Sequence, residues 1–308
     1  MTTSRRILLA TALFTPAVAR AATTRLRIGY QKNGALLILK QQRTLEPKLG
    51  DVSVEWFEFN AGPPILEAMN AGSIDFGATG DTPPIFAQAA GADLRYVAFQ
   101  PVPGRNNAIL VKRDGPIRDL ADLKGRTIAV TKGSSAHNVV VQVLRKAGID
   151  YHDVKPAFLA PADAAAAFRQ GAVDAWAIWD PFYALAERDP ATRVLTTAVG
   201  VAPSNSFFLA GSPILRARPD LVRAVIGETE RISREIETHQ EEFARAMAAA
   251  TGIPEPIQRI AAARGNYQVG YITDLVVTQQ QQIADTFRGL GLIPAAIRVR
   301  DAVWLPTS

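Results

Sequence analysis

The chain has 308 residues, 48% hydrophobic and 20% charged, a balance that fits a soluble globular protein of one or two domains with sizeable cores. It has no cysteine, which excludes a disulfide framework, a thiol nucleophile and a thiol-borne lipid anchor, and no apolar run reaches the ~18 residues of a spanning helix. The formal charge of +5 includes Arg5, Arg6 and Arg20; without residues 1–21 it becomes +2 (31 basic against 29 acidic), which leaves no case for a nucleic-acid partner.

In chain order, Arg5 and Arg6 precede an apolar stretch at 7–14, and Ala19-Arg20-Ala21 follows. A charged head, a short apolar middle and a small-x-small site predict a signal peptide over residues 1–21, cut after Ala21, and a mature protein free in a periplasm. Ser4-Arg5-Arg6-Ile7-Leu8-Leu9 also has the form of a twin-arginine signal.

The mature chain then alternates strand and helix patterns. Residues 26–30, 52–59, 74–78 and 96–99 read as strands, with helices starting at 35–39, at Gly62-Pro63-Pro64 and over 84–90. Near 102–111 the chain reads as crossing into a second unit, with Pro and Gly in the connection. Its strands are 108–111, 127–130, 154–159 and 175–179, its helices 135–147 and 162–170. A return strand follows at 205–210, and from Pro219 onward the pattern is helical, with the charge-rich 228–242 read as a solvated face. Alternating βαβα predicts an α/β fold with mostly parallel sheets covered on both faces.

The two units echo one another at an offset of about one hundred residues. Arg27-Ile28-Gly29-Tyr30-Gln31-Lys32 matches Thr127-Ile128-Ala129-Val130-Thr131-Lys132, and Asn70-Ala71-Gly72-Ser73-Ile74-Asp75-Phe76 matches Arg169-Gln170-Gly171-Ala172-Val173-Asp174-Ala175. Asp81-Thr82-Pro83 then answers Asp180-Pro181. A period this long is a domain-sized repeat. Two crossings predict an inserted second lobe on a two-strand hinge: residues 22–105 plus 205–308 form lobe I and 106–204 lobe II. A cleft between two such lobes is where a ligand is expected.

Ligands of parallel α/β sheets sit outside the carboxyl ends of the strands, where unpaired helix N–H groups favour an anion. The junctions are 31–34, 60–63, 79–83, 132–135 and 179–181. Lys132-Gly133-Ser134-Ser135-Ala136-His137 is the best of them: Gly133 allows close approach and both hydroxyls can donate, although either serine can instead be a helix cap. His137 stands alone, without the clustered ligands of a metal site, and reads more readily as a surface or capping residue than as a ligand. Of the tryptophans flanking Ile178, Trp176 fits the core and Trp179 a cleft wall. Asp81 and Asp180 are each either caps ahead of proline or cleft groups.

Four segments carry a resemblance: 27–32, 77–92, 132–138 and 173–181 resemble the aliphatic sulfonate-binding proteins of ABC importers, in order, over residues 26–210. Gln279-Gln280-Gln281-Gln282 and Trp304-Leu305-Pro306-Thr307 also fit, whereas 264–278 finds no counterpart. The resemblance implies a type II periplasmic binding protein: two α/β lobes that close on a sulfonate and deliver it, as a monomer, to a membrane permease with its ATPase. It implies a site at Gln31, Gly62, Pro63, Gly80, Asp81, Ser134, Ser135, His137, Trp179 and Asp180, with no metal, cofactor or catalytic residue. The same fold with taurine, nitrate or a pyrimidine is the alternative at this point. An enzyme like the sulfinate desulfinases would need the cysteine this chain lacks.

Overall fold

The computed structural model describes residues 24–201 and 204–306; the expected leader, residues 1–21, lies outside them. The first lobe begins β1 (Arg25–Tyr30), α1 (Gly34–Gln42), α2 (Glu46–Leu49), β2 (Ser53–Glu58), α3 (Gly62–Asn70), β3 (Phe76–Thr79), α4 (Thr82–Ala89) and β4 (Leu94–Val102). The second lobe follows as β5 (Asn107–Lys112), β6 (Thr127–Val130), α5 (Ser135–Lys146), β7 (Lys155–Phe158), α6 (Pro161–Gln170), β8 (Ala175–Trp179), α7 (Phe182–Ala186) and β9 (Thr192–Thr197). The chain returns through β10 (Ser204–Gly211) and ends in α8 (Ser212–Ala217), α9 (Pro219–Thr238), α10 (Gln240–Thr251), α11 (Glu255–Arg264) and α12 (Asp274–Gly289).

There are two five-stranded sheets, ordered β2-β1-β3-β10-β4 and β7-β6-β8-β5-β9. In each, the first three strands pair in parallel, the fourth runs against both neighbours, and so four of five point the same way. The odd strand is always the one that has just crossed from the other sheet. The hundred-residue echo is therefore an echo of topology as well as of residues. It extends to hydrogen bonds: Asp75 accepts from the Arg27 N–H at 2.8 Å, and Asp174 accepts from the Thr127 N–H at 2.8 Å. Each aspartate pins the start of its lobe's first parallel strand.

Helix starts follow local chemistry. α3 and α4 have proline in the first turn, where a missing N–H costs nothing. Ile65, Leu66 and Met69 recur at helical spacing on α3 and are buried. β8 is buried along its whole length, as a central strand covered on both faces must be. The two crossings are bonded together, the Ala198 N–H donating to the carbonyls of Gly104 and Asn107, both at 3.1 Å.

The charge-rich stretch 228–242 is not one solvated face. α9 ends at Thr238 and α10 starts at Gln240, with the break at His239. Glu228 is only 2% exposed because Lys48 and Arg231 both donate to its carboxylate, which lets an acid enter the interface with α2.

Candidate functional site

The carboxyl ends of β1, β3, β6 and β8 meet at the interface between the sheets, around a cavity of about 180 Å³. α1, α3, α4 and α5 begin on it, contributing Gly34, Gly62, Pro83 and Ser135 to the wall, and the short α7 adds Asp180 and Pro181 just before its start. Four helix starts turn positive dipole ends to one small space, with unpaired N–H groups mainly from α1 and α5, because prolines occupy two first-turn positions in each of α3 and α4. Most other polar lining is neutral: Gln31, Thr79, Gln100, Asn106, Asn107, Asn205, Gln258 and Asn266. Trp179, Phe208, Phe243 and Met247 supply apolar surface. Among the described residues, Asp180 is the only charged side chain on the wall.

The two lobes touch where α4 and α5 begin. A Cβ on Gly80 would lie 2.8 Å from the Cβ of Ser135, so glycine is what permits this approach. The neighbouring serines do different jobs. Ser134 caps α5: its hydroxyl donates to the Thr131 carbonyl at 2.7 Å and accepts from the His137 N–H at 3.4 Å. Among the described residues nothing bonds to the Ser135 hydroxyl, which lines the cavity.

Of the ten expected site residues, Gln31, Gly62, Gly80, Ser134, Ser135, Trp179 and Asp180 line the cavity, and Pro63, Asp81 and His137 do not. Pro63 shares a turn with Gly62 but stands off the wall. Asp81 is only 1% exposed, with carboxylate oxygens accepting from Thr82 Oγ1, Asn138 Nδ2 and Ser204 Oγ at 2.7, 3.0 and 2.7 Å. Burial raises its pKa above the usual carboxylate value, against those three bonds. His137 is neither at the surface nor on the wall. It is wholly buried beside Phe86, Phe158 and Phe287, its Nδ1 accepting from the Gly133 N–H at 3.2 Å and its Nε2 2.7 Å from the Tyr151 hydroxyl. Burial holds its pKa down at about 4, with Lys132 adding to the effect, so it is a neutral buttress behind the 132–135 loop.

Asp180 is buried enough that its pKa is pushed up to about 6, with Arg264 opposing the shift. Its Oδ1 accepts from the Ala184 N–H at 2.9 Å and lies 3.4 Å from Arg264 Nη1. Sequence reasoning missed Arg264, Asn106, Asn107, Gln258, Asn266 and Tyr267. Only the paired amides Asn106-Asn107, at the crossing, carried a usable signal; Arg264, Asn266 and Tyr267 sit in the stretch where the resemblance found no counterpart, and Gln258 lies in a segment read only as helical.

Residues 51–242 match the family model described as NMT1/THI5 like. An aliphatic sulfonates-binding protein by name, from Escherichia coli strain K12, is 40% identical over 291 residues, covering 94% of this chain and 91% of its own. The alkanesulfonate-binding protein SsuA from Xanthomonas axonopodis pv. citri, bound to MOPS, has a TM-score of 0.89 at 40% identity over 92% of this chain and 99% of that one. The periplasmic aliphatic sulphonate binding protein SsuA from Escherichia coli gives 0.85 at 40% identity, over 93% and 94%.

Proposed function

The chain belongs to the NMT1/THI5-like family and, within it, to the aliphatic sulfonate-binding proteins; from that premise we propose that it captures an alkanesulfonate in the interlobe cavity and delivers it to an ABC importer for sulfur acquisition. The observation that carries this reading is the set of four helix starts on one small cavity whose wall, among the described residues, holds no lysine or arginine. A sulfonate is a permanent anion with three acceptor oxygens. Neutral N–H and hydroxyl donors at helix starts satisfy it without the cost of burying a cation. Ser135 and the first turn of α5 are the donors from lobe II, and Gln31, the start of α1 and the Gly62 N–H those from lobe I. Trp179, Phe208, Phe243 and Met247 take the carbon chain. Asp180 is tolerated beside an anion because burial favours its neutral form and Arg264 offsets the charged one. Residues 1–21 direct export to the periplasm, Arg5-Arg6 suiting the twin-arginine route, and the mature monomer meets the permease and its ATPase there.

Melting of the mature protein against ethanesulfonate and longer homologues tests this. A ligand that binds only the native state stabilises it by about 2.7 kcal/mol at one hundred times Kd, so a clear rise in Tm is expected with at least one of them. Ser135→Ala should weaken that binding about tenfold, whereas Ser134→Ala should mainly lower stability, by about 1 kcal/mol, through the lost cap. Release of sulfite from the incubated ligand would overturn the binding-only reading.

A further inference from the structure

Arg264, the last residue of α11, belongs to the first lobe by topology, yet its guanidinium lies against the second. Nη2 is 2.6 Å from Glu187 Oε1, Nη1 is 3.4 Å from Asp180 Oδ1, and the guanidinium carbon sits 4.1 Å above the ring of Tyr183. Its side chain is 20% exposed and that of Glu187 19%, so water screens the pair only in part. Planar stacking and forked donation in one side chain are what arginine offers and lysine does not.

The next three residues, Gly265, Asn266 and Tyr267, are cavity wall. The segment is also tied to the hinge: Arg105, in the crossing from β4 to β5, donates through Nε to the Arg264 carbonyl at 3.1 Å and through Nη2 to the Gly265 carbonyl at 3.4 Å. Gln100 donates to the Asn266 carbonyl. Tyr267 folds back over Gly265 so closely that a Cβ there would lie 2.6 Å from its ring, so glycine is what fits while the tyrosine stays in place. One short segment thus carries an interlobe ion pair at its start, ligand wall along its length and a hinge contact on its backbone.

We propose that Arg264 is the clasp of the cleft, a positioning residue that favours the closed arrangement of the lobes through Glu187 and Asp180, before ligand enters as well as after, and so presents the 265–267 wall to the ligand. The proposal rests on the reading that the cleft takes a sulfonate. A residue that favours the closed form raises apparent affinity by raising the competent fraction, without touching the ligand.

The test uses Arg264→Gln, Glu187→Gln and the double variant of the mature protein, with Arg259→Gln as control on the exposed side of the same helix. Ethanesulfonate is the probe, read by stopped-flow dissociation and by small-angle scattering with and without it. Arg264→Gln should raise the dissociation rate about tenfold and enlarge the radius of gyration of the ligand-free protein. Glu187→Gln, which removes no wall residue, should move both the same way by a smaller factor, and the double variant should fall short of the product of the two. The control should match the wild type. Failure of the wild type to bind ethanesulfonate counts against the sulfonate reading, and the ligand-free scattering still decides the clasp. Wild-type scattering in all variants would overturn it, as would wild-type dissociation rates in variants whose parent binds the probe.

Discussion

Gly80-Asp81 in the first lobe and Trp179-Asp180 in the second occupy the same place, at the carboxyl end of the third parallel strand of their sheets and ahead of a helix. Both aspartates are bonded from the opposite lobe, Asp81 by Asn138 on α5 and Asp180 by Arg264 on α11. There the likeness stops. Asp81 is sealed in the interior among neutral donors, and its main-chain carbonyl accepts from Gln280 on α12. Asp180 stands on the cavity wall beside a cation. The glycine lets the lobes meet; the tryptophan gives the cavity a side. A repeated backbone does not repeat a chemistry, because the partners that decide each carboxylate's role come from elsewhere in the chain.

The largest test of that contrast is the truncation of each carboxylate. Asp81→Ala strands donors on Thr82, Asn138 and Ser204, each costing 1–3 kcal/mol when left unpaired, so a loss of about 4 kcal/mol is expected. Asp180→Ala leaves Arg264 its bond to Glu187 and should cost about 1 kcal/mol, mainly the bond to the Ala184 N–H. Urea denaturation of both variants measures the gap. Equal losses would mean that the two positions share one structural role after all.

The pH dependence of stability separates Asp180 from the buttress at His137, with opposite signs. Asp180 is raised from 3.8 to about 6 on folding, so its protonated form stabilises the native state fully below pH 3.8 and that contribution is lost as pH rises through 6. At about 1.4 kcal/mol for each pH unit, the change is about 3 kcal/mol. His137 falls from 6.5 to about 4, so its contribution is present above pH 6.5 and lost as pH falls through 4, again about 3 kcal/mol. Between pH 4 and 6 the two nearly cancel. Asp180→Asn should therefore steepen the acid loss of stability, and His137→Phe should reverse its slope. Parallel curves for wild type and both variants would show that neither group titrates as its surroundings demand.

Much of the fold was legible because the repeat, the strand patterns and the proline-led helix starts are local signals. The five junctions followed from strand ends, the residues within them from the family resemblance, and seven of those residues lie on the cavity wall. Asp81 and His137 were misplaced for a common reason: a residue at a helix start can face the cavity or the interior, and only packing decides. Asn138 and Ser204 take Asp81 inward, and three phenylalanines take His137. Arg264 and its following turn escaped because their order comes from contacts with Glu187 and Arg105, each more than seventy residues away, and no local period encodes such a pairing. Glu228 was read as solvated for the same reason, its partner Lys48 lying 180 residues distant.

A smaller effect than the carboxylate gap or the pH swings is expected at Trp179, which stands where the first lobe has Gly80. Trp176 is core, 3% exposed and 6.0 Å from the Phe168 ring, whereas Trp179 pairs edge-on with Phe182 and turns to the cavity. Trp179→Ala should thus weaken ethanesulfonate binding about tenfold, or about 1.4 kcal/mol, with normal folding, while Trp176→Ala should chiefly cost stability. The tenfold is small because the proposed sulfonate donors are on other residues, and a short carbon chain would cover only part of the indole. A longer alkanesulfonate reaches more of it, so the penalty should grow with chain length at a rate near 0.8 kcal/mol per buried CH₂. Calorimetry over a homologous series reads that slope directly. A penalty independent of length would place the carbon chain elsewhere, against Phe243 and Met247, and leave Trp179 as packing for α7.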